Sequence, residues 1–396
     1  MNDDPEENAF TGLPFFGDMM KAISSHGPLQ WDVARQVAMT TALGGKTAEP
    51  NVDPADRIVL ESLAPIAELH VEAHTGLSTT PTDHPRTLLV VNRTTWCHHT
   101  LEAYKPLFTT LATSLSGSEV VSDDSLDLTT DDSMASMMAG LTKMMAPAMM
   151  GMSVGSMVGT MSQHAFGQYD IPLPRDPIHQ LLLVPSNINS FANDWSLPID
   201  DLRMWVLIQE LTAHAVLGVQ HVREIISSTV RQYVAGFRPN PTAMFDRMTG
   251  IELTGSDPMA MLQKFLSDPS LILGAVRSKE QEVLSPILDA MVAAIIGYVD
   301  HSVDEVASHV LGGGSQIAEA VRRRRVESSP NDVFLEQLLG LRLTRQQLEL
   351  GRNFVDGVVE RAGKDGISQL FNAPGNLPTP SELDAPGLWL ARLEVQ

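Results

Sequence analysis

The sequence contains one cysteine, Cys97, and comparatively few basic residues. A single cysteine excludes an internal disulfide, which fits a reducing compartment such as the cytoplasm. The 27 Lys and Arg residues against 48 Asp and Glu give a formal charge of -21, which argues against nucleic acid or an anionic membrane surface as a partner. The first ten residues, MNDDPEENAF, lack the basic and apolar regions of a secretory signal, so we expect a cytoplasmic location.

Motifs of several common protein classes are also missing. The chain shows no internal repeat, no glycine-rich phosphate loop and no Gly-x-Ser-x-Gly nucleophile elbow. These absences argue against a repeat scaffold, a P-loop protein and a hydrolase with that elbow.

What is present predicts a mainly α fold with a small strand element. Hydrophobic residues make up 43% of the 396 residues, enough for a large core, and most apolar stretches repeat with helical spacing. The clearest strand is QLLLV at Gln180–Val184, between Pro177 and Pro185. The run Leu88–Arg93 fits either a strand or the start of a helix.

Composition divides the chain into four segments. Residues 1–10 are an acidic tail that we predict to be disordered. Residues 11–396 are predicted to form one large domain. In it, 11–115 form an N-terminal helical lobe, 116–133 a mobile acidic loop, and 134–396 the core helices.

Met134–Met161 contains ten of the twenty methionines, together with Gly151, Gly155 and Gly159. Glycines four residues apart leave one helix face open to a close neighbour, and methionines fill irregular gaps. We therefore predict a buried helix pair broken at Pro147. A membrane span is the alternative, and the charge and proline within the segment disfavour it, so no span is expected.

Arg322–Arg325 is a run of four arginines on a predicted helix, Ala318–Val326. Such a run could bind a phosphate or carboxylate. In a chain this acidic we favour a solvated, salt-bridged surface helix.

The stretch Trp205–Glu224, WVLIQELTAHAVLGVQHVRE, predicts a long helix that runs to about Gln232. It carries Gln-Glu-x-x-Ala where a zinc peptidase would carry His-Glu-x-x-His. In the intact motif both histidines lie on one helix face and bind zinc, and the glutamate activates the metal-bound water. Here only the glutamate, Glu210, is retained.

Several segments together resemble one bacterial family, the zincin-like metallopeptidases of type 2, which are predicted hydrolases. The segments, in order, are LPFFGDMMKAISSHGPLQWDVARQVA, the Met/Gly stretch, QLLLVPSNINSFA, QELTAHAVLGVQHVR, IIGYVDHSVD and RRRRVESSPNDVFLEQLLGLRL. The resemblance implies a zincin-like domain with the strand element beside the central helix.

The resemblance also implies where zinc lies in intact members. Their ligands are the two helix histidines and a glutamate from a later Glu-Gly-x-x-Asp segment. In this chain those places are Gln209, Ala213 and Ile296, while Gly297 and Asp300 match the later segment. With three ligands replaced, nothing offsets the dehydration of zinc or lowers the pKa of bound water. We predict no metal here, and Glu210 is then a vestigial general base.

A displaced metal site is the alternative. Glu210, His214 and His221 fall at i, i+4 and i+11 on the predicted helix, and Asp300 or His301 could complete an oxygen and nitrogen site. The simpler interpretation makes His214 a core histidine and Glu210 a buried acid paired with an arginine or histidine.

The sequence therefore predicts a non-catalytic member of a peptidase family, a cytoplasmic protein that binds or scaffolds an unidentified peptide or protein. The competing prediction is an active hydrolase that uses the displaced metal site, or Glu210 without metal.

Overall fold

The computed structural model describes residues 27–80, 85–115, 132–238, 278–312, 314–326, 338–341 and 343–395, with the backbone alone for 132–145 and 395. The predicted acidic tail and residues 116–131 of the predicted acidic loop lie outside these ranges. The last two residues of that loop, Asp132 and Ser133, begin a helix instead.

The described chain is mainly helical, as predicted. Its elements are α1 Trp31–Ala42, α2 Pro54–Thr75, β1 Thr87–Val90, α3 Arg93–Ala103, α4 Lys105–Leu115, α5 Asp132–Ser162, β2 Gln180–Leu183, α6 Pro185–Asp194, α7 Ile199–Gly218, α8 Gln220–Ala235, α9 Lys279–Val310, α10 Gly314–Val326, α11 Arg345–Ser368, a 3-10 turn Gln369–Phe371, α12 Pro380–Asp384 and α13 Pro386–Val395.

Helix α7 forms the centre of this fold. From Leu202 to Gly218 every residue except Arg203 is buried, which is typical of a core helix. The helix ends before Val219, whose ψ of 121° is not helical, and α8 begins at the next residue. The single helix predicted to run to about Gln232 is therefore wrong, because a glycine and a β-branched valine, both poor helix formers, divide it.

Helices α1 and α5 pack closely along the predicted glycine face. A Cβ at Gly151 or Gly159 would lie 2.6 Å from the carbonyl oxygens of Gln30 and Ala38, and one at Gly155 would overlap that of Ala34. This confirms the predicted close approach. The predicted break at Pro147 is wrong, since α5 is one helix and its partner is α1.

Helix α9 is long, apolar and continuous through Pro286. Its N-cap is Ser278, which forms a capping box with Gln281. Its Gly297 is a contact point with α11, because a Cβ there would overlap the backbone of Gly351. Among the described helices, α9 has the length and hydropathy of a membrane span, with a mean hydropathy of 1.7, but 67% of that window is buried inside the protein. Such burial is that of a core helix.

The two strands pair in parallel, with Thr87 opposite Gln180 and Val90 opposite Leu183. The predicted strand at 180–184 is confirmed, and the ambiguous run at 88–93 resolves into β1 followed by α3. The backbone N–H of Val184 donates to the carbonyl oxygen of Phe166, 2.8 Å away. The sheet thereby holds the segment after α5 against the central helix.

Candidate functional site

Glu210 is fully buried on α7 and faces a loop formed by residues 166–170. Its Oε2 accepts hydrogen bonds from the backbone N–H groups of Gln168 at 2.9 Å and Tyr169 at 3.0 Å. A Cβ at Gly167 would overlap the carboxyl group, so a larger residue there would displace the Glu210 side chain. The carboxyl group is thus enclosed by the loop backbone.

The loop is itself fixed by its neighbours. Trp96 donates its indole N–H to the carbonyl oxygen of Gly167 at 2.7 Å. Asp170 accepts from the N–H groups of Phe166 at 2.7 Å and Gly167 at 3.1 Å. The wall over Glu210 is therefore loop backbone that the side chains of Trp96 and Asp170 hold in place.

Burial raises the pKa of Glu210 to about 8, and the nearby Asp170 carboxylate adds to this rise, while the two backbone hydrogen bonds oppose it. At neutral pH the carboxyl group is therefore protonated. A protonated acid cannot act as a general base until it loses that proton.

His214 lies one turn further along α7 and is also fully buried. Its Nδ1 is 2.9 Å from the hydroxyl oxygen of Tyr169. Burial, together with the positive charge of Arg86 and against the opposing charge of Glu68, lowers the pKa of His214 to about 4. His214 is therefore a neutral core histidine at physiological pH.

The three positions that the resemblance assigns to zinc ligands hold side chains that do not fit the ion. Gln209 and Ala213 are buried, and Ile296 packs against the hydrophobic core. A methyl group and a butyl group carry no lone pair, and an amide oxygen is a poor ligand beside imidazole and thiolate.

A guanidinium group reaches this face of α7 from helix α10. Arg325 places Nη1 2.9 Å from both carboxylate oxygens of Asp300, and Nη2 3.5 Å from Oε1 of Gln209. The Arg325 and Asp300 side chains are 24% and 18% exposed. One arginine thus joins two of the positions named by sequence, on α7 and α9.

The arginine run makes further ion pairs in this region. Arg322 pairs with Asp304, and Arg324 pairs with Asp170 at 2.5 Å and stacks 3.6 Å from the ring centroid of Phe166. The neighbouring Arg323 is exposed and pairs with Glu319 on its own helix. The predicted salt bridges are therefore present for all four arginines, whereas the predicted solvation is wrong for three of them, whose side chains are only partly exposed.

The spacing of charged residues in the sequence indicates that helices α9 and α10 pair through their side chains. Asp300 and Asp304 are one turn apart on α9, and Arg325 and Arg322 are one turn apart on α10, so the two helices present matching charges. Sequence reasoning considered the run alone and missed its partners. Asp170, which lies more than 150 positions away from Arg324, carried no such signal.

The residues of the alternative metal site do not converge. His221 lies on α8, beyond the break at Val219, and Asp300 is held by Arg325. His301 lies 3.9 Å from a carboxylate oxygen of Asp356 on α11. In the part of the chain that the structure describes, no three His, Cys, Asp or Glu side chains are placed to hold a metal ion.

The mainly α fold, with its short parallel strand pair beside the central helix, is that of a zincin-like protein. The chain belongs to the zincin-like metallopeptidase family, whose model matches residues 29–390. This confirms the resemblance seen in the sequence and the mainly α zincin-like fold.

A solved structure and the curated proteins complete the comparison. A protein from Chloroflexus aurantiacus, provisionally described as a hydrolase with a novel fold, is similar over 93% of this chain and 99% of its own. The two share 21% identity with a TM-score of 0.64, which shows a common fold. No curated protein matches the chain.

Proposed function

We propose that this chain is a non-catalytic member of the zincin-like metallopeptidase family, a cytoplasmic protein that binds or scaffolds a peptide or protein partner. The observation that carries the proposal is the enclosure of Glu210. Its side chain has no exposed surface, and the backbone of Gly167 lies against its carboxyl group. A general base must come within hydrogen-bond reach of water or substrate, directly or through one water.

The identities of the former ligand positions support the same proposal. Intact members would have three strong zinc ligands at these positions. Here Gln209 offers only a weakly binding amide oxygen, and Ala213 and Ile296 offer no ligand atom. In intact members zinc would supply a water of lowered pKa. The residues present in this chain would not hold such an ion, so Glu210 would have no metal-bound water to activate.

Composition supports the proposed compartment. A single cysteine, Cys97, is buried and free, which suits a reducing environment. A pull-down from cytoplasmic extract identifies the peptide or protein partner, and only a protein whose capture is lost on competition by excess untagged protein counts as that partner.

Metal content and hydrolysis test the proposal directly. The protein is purified without chelators or added metal, and zinc is measured by elemental analysis. Wild type and Glu210→Gln are then compared on a mixed peptide library followed by mass spectrometry. We expect no stoichiometric zinc and no cleavage by wild type beyond that by Glu210→Gln.

The competing function, a hydrolase, is favoured by one observation. Burial separates the pKa values of Glu210 and His214 to about 8 and about 4, and opposed shifts of this kind also occur at catalytic sites. Cleavage by wild type that is lost in both Glu210→Gln and His214→Asn would establish that function and overturn the non-catalytic proposal.

A further inference from the structure

The α7 face that does not fit zinc still faces a positive charge. Arg325 contacts Gln209, at a former ligand position, and Asp300, in the segment that supplies the third ligand in intact members. We propose that Arg325 is the resident cation of this site, which is a guanidinium-binding site in place of a metal site. This inference rests on the proposed function, because a catalytic zinc and Arg325 would need the same place.

The charges around Arg325 match a guanidinium. Asp300 places both carboxylate oxygens 2.9 Å from Nη1 of the monovalent Arg325, while the nearby Asp304 and Asp170 are balanced by Arg322 and Arg324. A glutamate at Ile296 would add a second negative charge, which suits a divalent ion. Since a buried charge is costly unless it is balanced, the apolar Ile296 and the monovalent Arg325 belong together.

The shapes and hydrogen-bonding groups match as well. The Gln209 amide oxygen accepts from an N–H donor, a role that a guanidinium can use although zinc gains little from it. Ala213 carries only a methyl group, whereas a histidine there would fill space on the same face. A guanidinium also stays charged at every physiological pH, so the site needs no metal supply to keep its cation.

Two further ion pairs hold Arg325 in place. Arg322 pairs with Asp304, one turn before Arg325 on the same helix. Arg324 pairs with Asp170 and donates to the carbonyl oxygen of His164 at 3.0 Å. These pairs fix helix α10 against α9 and against the loop at residues 166–170, on both sides of the site. Arg325 is therefore held in the site by its own helix.

Chemical rescue tests the proposal. Arg325→Ala removes the guanidinium and leaves a site that ethylguanidinium can refill, because that ion supplies the missing atoms. We expect Arg325→Ala to lower Tm by several degrees, and millimolar ethylguanidinium chloride to restore most of the loss. Ethylammonium chloride at the same concentration should restore none, since it lacks the planar donors.

Arg323→Ala is the matched control, because it removes the same charge from the adjacent position, where the side chain is exposed. Its Tm should match wild type and not respond to ethylguanidinium. If Arg325→Ala folds poorly, the readout is its soluble yield on refolding with each ion. Equal effects of the two ions, or no effect of either, would overturn the proposal.

A second test asks whether Arg325 excludes zinc. Gln209→His, Ala213→His and Ile296→Glu are combined, with and without Arg325→Ala, and with Arg323→Ala as control. Because two cations a few ångströms apart repel strongly, the variant without Arg325 should bind zinc at least about tenfold more tightly than the other two. Equal affinities, or no zinc binding by any folded variant, would sink the idea.

The two proposals fail separately. If rescue fails while wild type shows neither zinc nor cleavage, the guanidinium site is wrong and the non-catalytic function stands. If wild type cleaves peptides in a way that depends on Glu210, the function is wrong whatever Arg325 binds.

Discussion

The seam between α1 and α5 and the polar site between α7, α9 and α10 are held by opposite kinds of contact. In the seam, Gly151, Gly155 and Gly159 let two helix backbones meet with nothing charged between them. In the polar site, Arg325 and Asp300 join helices through charges that are largely removed from water. The first depends on absent side chains and the second on exact pairing, so they should respond differently to substitution.

We expect the largest loss of stability when Asp170, in the loop beside the polar site, is truncated. Asp170→Ala removes the partner of Arg324 and the acceptor for two backbone N–H groups. Removing one partner of a buried ion pair costs about 3–5 kcal/mol. The side chains of Arg324 and Asp170 are 23% and 18% exposed, so we expect the free energy of unfolding to fall by about 3 kcal/mol. Urea denaturation measures it.

Asp200→Ala is a control for this prediction, because Asp200 is exposed and pairs with Arg203 on its own helix. It should change stability by no more than about 0.5 kcal/mol. A loss for Asp170→Ala as small as that of the control would mean that α10 is not held through Arg324.

The seam should be the next most sensitive region. Gly155→Ala would place a methyl group against the carbonyl oxygen of Ala34, and overpacking of this kind costs about 1–3 kcal/mol. In an exposed helix the same change would stabilise by about 1 kcal/mol. A lower Tm for Gly155→Ala would therefore confirm the close approach of the two helices, and a higher Tm would contradict it.

These two regions show what sequence can predict. The glycine seam was predicted because its signal lies within a dozen residues. The mainly α fold and the strand at Gln180 were predicted for the same reason, since periodicity is local. The break at Val219 was missed because the apolar pattern continues across it, although Gly218, a poor helix former, favours a helix end there.

The polar site could be predicted only in part. Glu210 and its neighbours were found through a motif with fixed spacing on one helix. Its closure by Gly167 and Asp170 and the approach of Arg325 were not found, because they join residues 25 to 154 positions apart whose proximity is set by the whole fold. Glu210 was expected to pair with an arginine or a histidine, but its carboxyl group accepts hydrogen bonds from backbone N–H groups instead.

The polar site also predicts a pH dependence that the seam does not share. The pKa of Glu210 is raised from its ordinary value of 4.5 to about 8, so the folded state binds this proton more tightly than the unfolded state. That contribution is complete below about pH 4.5 and is lost as the pH rises through 8. Glu210→Gln, which keeps the neutral shape, should remove it.

The measurement compares the free energy of unfolding of wild type and Glu210→Gln from pH 6.5 to 9. In this window His214, whose pKa is lowered to about 4, is neutral in the folded state, and the protons that it binds when unfolded contribute equally to both proteins, so its contribution cancels in the comparison. The variant should gain about 1–2 kcal/mol relative to wild type across the window. Parallel curves would show that Glu210 is charged at neutral pH.

The smallest effect is expected within the arginine run itself. Arg323 is 66% exposed and pairs only with Glu319, one turn away on α10, and exposed pairs of this kind contribute about 0.3–0.5 kcal/mol. Arg323→Ala should therefore leave the Tm within about 1 °C of wild type, whereas Arg324→Ala, beside it in sequence, should lower it by several degrees because Asp170 is left unpaired. Similar losses for the two variants would mean that the run stabilises the protein through its total charge, and the distinction between pairing and close packing would lose its basis on this helix.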